Sequence, residues 1–151
     1  MEPGTPTRLR TTPSWLLTQT AAHAARLVAD GLSALDARGY HYRLLAALDE
    51  HGPASQADLG RRCGIDRSDV VAVLNDLTAR NHVRRDPDPA DRRRNVITLT
   101  DTGRRELHRM GETLDRVQDT LLAPLSAADR ATLTRLLTTL LDHHRGGPVT
   151  R

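Results

Sequence analysis

Three consecutive arginines, Arg92, Arg93 and Arg94, stand in the stretch DPADRRRNVITLT at 88–100, between two Asp/Pro steps and an alternating run. Guanidinium groups at the tip of a hairpin suit two tasks: holding phosphates, or entering a narrow groove of a duplex where negative potential is concentrated. Taken alone, the same run reads equally well as a solvated charge cluster. A second set lies upstream. Val70, Val73, Leu74 and Leu77 form one apolar stripe at helical spacing, which turns Arg67, Ser68, Val71, Ala72 and Asn75 to the other side. Against base edges, Arg67 suits guanine or phosphate, Ser68 either, Val71 a thymine methyl, and Asn75 adenine or phosphate. Ala72 brings no polar group to that face and Asp69 adds a negative charge in the first turn, where it favours the helix N-terminus, so direct readout is expected to be thin, with shape and phosphate contacts supplying much of the affinity.

Metal and catalytic chemistry find less support. Among seven histidines, His108 lies four residues before Glu112 and His143 adjoins His144, but spacing fixes no third ligand, so no metal or other cofactor is expected. No Gly-rich phosphate loop and no Gly-x-Ser-x-Gly elbow occurs, and the chain does not read as an enzyme. Cys63, the single cysteine, has no internal disulfide partner and reads as a small buried hydrophobe. With no apolar leader and no run long enough to span a membrane, the expected compartment is the cytoplasm.

The elements that must position these residues can be read in order. The 151 residues suit one ordinary core; Phe is absent and aromatics are 2%, so an aliphatic, mainly α-helical fold is expected. Twenty-two basic against 19 acidic residues give a net charge of +3, which matters because the positive charges cluster at 84–85, 92–94 and 104–105. Residues 1–12 read as a flexible tail. Thr12-Pro13 has the form of a hydroxyl cap and first helical proline for a helix over 13–36, which Gly39 breaks. YHYRLLAALDEHGP gives a short helix with Leu44, Leu45 and Leu48 on one face. Ser55 caps QADLGRRC with Asp58 in capping-box position and Ala57, Leu59 and Cys63 inward; Gly64 closes it, and Asp66 caps a helix to about Arg80. Two helices joined by a short Gly-containing turn form a helix-turn-helix. HVRR and RNVITLT flank the turn-rich DPDPAD as a small β-hairpin, after Asn81 at a left-handed helix end. Thr100 caps a helix to about 122, and Ser126-Ala-Ala-Asp129 opens a last one striped by Leu133, Leu136, Leu137, Leu140 and Leu141. The first and last helices are too apolar for the central unit to bury alone, which points to a second copy of the chain.

Over about 41–107, with a weaker echo in LAPLSAADRATLTRLLTTLL at 121–141, the chain resembles the MarR family of winged helix-turn-helix transcription regulators. The helix-turn-helix is followed by what looks like the family's wing signature, here Asp91-Arg92-Arg93, then Leu99-Thr100 and Gly103. The resemblance implies a winged helix-turn-helix lobe at 37–100, dimerisation helices at 13–36 and 101–145, and a flexible end at 146–151. It implies a homodimer that binds double-stranded DNA at a pseudo-palindromic operator, most simply as a repressor released by a small aromatic or anionic effector. The alternative is a non-enzymatic protein-interaction module on the same fold. By the same resemblance Asp91 anchors one wing arginine, Arg93 or Arg94, while Arg92 or its neighbour contacts DNA. A urate-responsive subset of the family uses a Trp on the first helix, an Asp at the start of the motif, one wing arginine and one arginine after the wing; Trp15, Asp58, Arg92 and Arg104 resemble that set. Trp15 also reads simply as an aromatic packed at the dimer interface. Tyr40 and His41, where the family's effector cleft is lined, complete the candidate ligand contacts.

Overall fold

Pro13 suits the first position of a helix because its φ is fixed near the helical value and the N–H it lacks would have no partner there. In this computed structural model, which describes residues 4–146, helix α1 (Thr7–Arg10) precedes helix α2 (Pro13–Ser33). The segment read as a tail thus contains a helical turn. Thr12 does not cap α2 with its hydroxyl; its Oγ1 donates to the Arg8 carbonyl at 2.7 Å instead. This is the local competition that Thr side chains offer to capping. Helix α2 also ends earlier than 36. The break comes at Asp36, which adopts the left-handed conformation (φ 52°), and Gly39 is the first residue of the next helix, α3 (Gly39–His51).

Ala54–Ser55 forms a two-residue strand β1, which sequence period could not reveal. Helix α4 (Gln56–Cys63) follows, with Ser55 Oγ accepting the Asp58 N–H at 3.2 Å. Helix α5 (Arg67–Ala79) ends at Asn81 in the expected left-handed conformation (φ 59°). Strands β2 (Val83–Pro87) and β3 (Asn95–Leu99) are antiparallel, with Val83 opposite Leu99 and Pro87 opposite Asn95. Strand β2 therefore runs two residues into the Asp/Pro stretch read as turn. β1 pairs on the other side of β3, giving the order β1-β3-β2.

The chain divides into two compact units, 1–117 and 118–151. The core of the first takes Leu44, Leu45 and Leu48 from α3, Leu59 from α4, Val70, Val73, Leu74 and Leu77 from α5, and Ile97 from β3. Burial of each leucine contributes about 1.5–3 kcal/mol. Leu32 of α2 and Met110 of helix α6 (Asp101–Leu121) join the same cluster, so both long helices are anchored in it. Ala57 is exposed, not inward, because Leu59 alone carries the inner face of the first turn of α4. In the second unit, Ser126 Oγ accepts the Asp129 N–H at 3.2 Å and opens helix α7 (Ala127–Gly146). Arg130 holds the preceding turn through Asp119 (3.1 Å) and the Leu122 carbonyl (3.1 Å). The reading of 146–151 as a flexible end lies, from 147 onward, outside the described residues.

Candidate nucleic-acid interface

Gly64 makes the turn between α4 and α5. It sits at φ 61°, where L side chains are strained, and lets the Ile65 N–H reach the Gly60 carbonyl at 3.0 Å. The burial of Val70, Val73, Leu74 and Leu77 against this pair fixes the roll of α5. Arg67, Ser68, Val71, Ala72 and Asn75 are in consequence all exposed. One of them is not free. Arg85 of β2 donates through an Nη to Asn75 Oδ1 at 2.7 Å.

The hairpin tip is organised by two aspartates. Asp88 Oδ1 accepts the Ala90 N–H at 2.9 Å, and the Asp88 N–H closes the loop on the Arg94 carbonyl at 2.9 Å. Asp91 accepts from Arg93 twice through Oδ1, from the backbone N–H at 3.1 Å and from Nε at 3.2 Å. Of the two candidate partners for Asp91, Arg93 is the one bonded. Its side chain, the backbone N–H and the Arg94 charge outweigh burial and hold the Asp91 carboxyl below the ordinary aspartate value. Arg92 and Arg94 make no side-chain hydrogen bond or ion pair among the described residues. Their charges are available. Arg84, lower on the hairpin, is paired with Asp86 at 2.6 Å.

Between α4, the start of α5 and the tip of the wing lies a groove of about 650 Å³, lined by Gln56, Arg61, Arg67, Arg93, Arg94 and Asn95 among others. Since the chain contains no lysine, each of its cations is a planar guanidinium that can bind a phosphate with two parallel bonds. Arg61, in the lining, is ion-paired with Asp58. The Ser55 hydroxyl first, and then Arg61, Arg62 and Arg94, hold its carboxyl below the ordinary value despite some burial.

Two of the candidate ligand residues have ion-pair partners within the chain. Asp58 pairs with Arg61, whereas Arg104 pairs with Asp49 at the end of α3. No hydrogen bond or ion pair links any two of Trp15, Asp58, Arg92 and Arg104. His41 is 2% exposed and both ring nitrogens are used: Nδ1 accepts the Arg38 N–H at 2.9 Å and Nε2 meets Asp76 Oδ2 at 2.6 Å. It is a structural staple between α3 and α5, a role its sequence neighbourhood did not reveal. Tyr40 is exposed, with the Arg43 guanidinium 5.5 Å from its ring centre, and Trp15 is half-buried on α2. Cys63 is half-buried, its Sγ donating to the Arg43 carbonyl of α3 at 3.5 Å, and burial pushes its thiol pKa up. Among the described residues no group of three His, Cys, Asp or Glu could hold a metal, and no helix is long and apolar enough to cross a membrane.

Known proteins share this arrangement. The MarR family model matches residues 30–94. The HTH-type transcriptional repressor NicR of Pseudomonas putida is 33% identical over 98 residues, 65% of this chain and 62% of that protein. The match thus spans about six tenths of that curated relative's length. Among solved structures, the PcaV transcriptional regulator of Streptomyces coelicolor is 30% identical, with a TM-score of 0.75 over 91% of this chain and 100% of its own; it has also been solved with its natural ligand. The transcriptional repressor CouR, bound to a 23-mer DNA duplex, superposes with a TM-score of 0.81 at 25% identity over 89% of this chain and 96% of that one. Matched through its helix-turn-helix and, in PcaV, over the whole of a solved relative, this chain belongs to the MarR family of winged helix-turn-helix transcription regulators.

Proposed function

We propose that this protein is a sequence-specific DNA-binding regulator of transcription, acting as a homodimer on a pseudo-palindromic operator, most simply as a repressor. The observation that carries the reading is the pairing, on one lobe, of an exposed α5 face with two unpaired wing arginines, Arg92 and Arg94. The α5 face suits a major groove, and the wing arginines suit the flanking minor groove or phosphates. CouR bound to a duplex and the repressor name of NicR support it. The lobe at 37–100 is the reading head, and the helices at 13–36 and 101–145 are the dimerisation elements. On α7, Leu136, Leu137, Leu140 and Leu141 are 40–49% exposed, a stripe that a second copy would cover.

Control by an effector, here a small aromatic or anionic one, is supported by PcaV, which has been solved with its natural ligand. Trp15 and Tyr40 are the candidates for its contacts. His41 and Arg104 are already committed, to Asp76 and Asp49. An effector acts by its differential affinity for the two spacings of the recognition helices.

Footprinting on an operator selected from a duplex library tests the proposal. A dimer should protect two major-groove patches about 10 base pairs apart, centre to centre, because the protein two-fold must match the two-fold of the site. A single patch, or no protection at any sequence, contradicts it.

A further inference from the structure

Asn75 is the one outward residue of α5 whose side chain is held by another element. Its partner, Arg85, stands on β2 opposite Ile97 of β3, half-buried, with Nε shut away from solvent and without a hydrogen-bond partner. The bond to Asn75 is the only hydrogen bond the Arg85 guanidinium makes among the described residues. A guanidinium has five donors and no acceptor, so the amide atom facing it must be the carbonyl oxygen. The amide of Asn75 is therefore fixed with Oδ1 toward β2, and its Nδ2 makes no hydrogen bond among the described residues.

This orientation decides which base Asn75 can read. Recognition of adenine by an asparagine needs both halves of the amide, the oxygen accepting from N6 and the nitrogen donating to N7. With the oxygen turned toward β2 and one of its two lone pairs taken by Arg85, the amide presents its donor side outward. Guanine presents two adjacent acceptors, O6 and N7, on its major-groove edge and no donor there. We propose that Asn75 reads guanine, and that Arg85 is the positioning residue which makes it do so. This rests on the DNA-binding reading above and deepens it. The sequence-based expectation of adenine or phosphate at Asn75 leaves Arg85 out, because the two residues lie on different elements.

The test is selection from a randomised duplex library with the full chain, followed by affinities for the guanine and adenine versions of the selected site. For the wild type, one position in each half-site should carry guanine, and Asn75→Ala should lose the preference there alone. Arg85→Met keeps the length and removes the donors, so it should move the guanine-to-adenine affinity ratio at that position by about tenfold toward adenine, the scale of one base-edge contact. An unchanged ratio in Arg85→Met, or adenine at the Asn75-dependent position of the wild type, overturns the proposal. If thermal melting reveals that Arg85→Met does not fold, Asn75→Asp decides. Its carboxylate still accepts from Arg85 but donates nothing, so guanine preference should vanish, and its retention overturns the proposal. A wild type that binds no duplex in a salt-dependent way would overturn the regulator reading itself, an outcome distinct from selective binding that ignores residues 75 and 85.

Discussion

His41 Nε2 stands 2.6 Å from Asp76 Oδ2, joining α3 to the third turn of α5 across 35 residues of sequence. Because Nδ1 accepts the Arg38 N–H, the ring proton lies on Nε2 and the imidazole donates to the carboxylate. Arg80 continues the chain of bonds, donating to Asp76 Oδ1 at 3.2 Å and to the Asp36 carbonyl at 2.6 Å. The C-terminal half of the recognition helix is thereby tied to the junction between α2 and α3. Movement at that junction has a direct mechanical route to the exposed face of α5.

His41→Ala should destabilise the protein by about 2–3 kcal/mol, the sum of a small cavity and a lost bond to a charged group. Urea unfolding at neutral pH measures it. A loss under about 0.5 kcal/mol, the scale of an ordinary surface change, would mean that the staple carries no weight.

Acid should act in two stages. Burial first, with Arg80 and His41 adding to it, outweighs Glu106 and Asp76 and holds His82 below its ordinary value of 6.5. A base whose folded pKa lies below the unfolded one favours the fold most when neutral; that stability is complete above 6.5 and is lost as pH falls through the folded value. Thermal melts at pH 7.5 and 5.5 should give a lower midpoint at 5.5, and His82→Gln should flatten the difference. At Asp76, burial raises the pKa, but the His41 hydrogen bond and the Arg80 charge outweigh it and leave the carboxyl below 3.8. Its contribution is present above that value and disappears only as pH falls through the lower folded one. A pH profile flat from 7.5 to 5.5 in the wild type would contradict the first stage.

Gly103→Ala should be costly, by about 2–4 kcal/mol, through forced overpacking. A methyl there would press into the His82 peptide, with the carbonyl carbon 2.8 Å away and Leu99 Cδ1 at 2.9 Å. The same His82 carbonyl accepts the Thr100 N–H at 3.1 Å, so the wing and the start of α6 lock at this point. Calorimetry of the variant checks it, and an unchanged midpoint would contradict the close approach.

The stripe on α5 was legible because helical period alone separates Val70, Val73, Leu74 and Leu77 from the residues between them, and burial follows the period. Asn81 and Gly64 were legible for a similar reason, since few residues tolerate a left-handed helix end. The pairings that shape the site were not. His41 with Asp76, and Asn75 with Arg85, join residues on separate elements, and no local pattern encodes which side chains tertiary packing brings together. Strand β1 escaped because two residues have no period, and Thr12 misled because its hydroxyl had a competing carbonyl within reach. The ion pairs of Asp58 with Arg61 and of Arg104 with Asp49 have the same origin: a residue set borrowed by resemblance does not specify the local partners of its members.

Replacing Arg92 and Arg94 together by alanine should weaken binding to all duplexes alike and reduce the salt slope of the dimer by about 4, since each of the four arginines lost would otherwise neutralise one phosphate. Arg93→Ala should act differently, by loosening the turn that Asp91 holds. Binding isotherms across sequences separate the two. If the double variant keeps the full slope, the wing arginines do not touch the backbone.

The most direct measure of DNA reading by this lobe is the affinity of the purified chain for the DNA flanking its own gene, at 50 and at 200 mM salt. A dimer that neutralises several phosphates should lose roughly a thousandfold or more between the two, as the displaced counterions become costlier to release. Affinity that is absent, or that does not change with salt, would contradict the claim that this lobe and its wing read DNA.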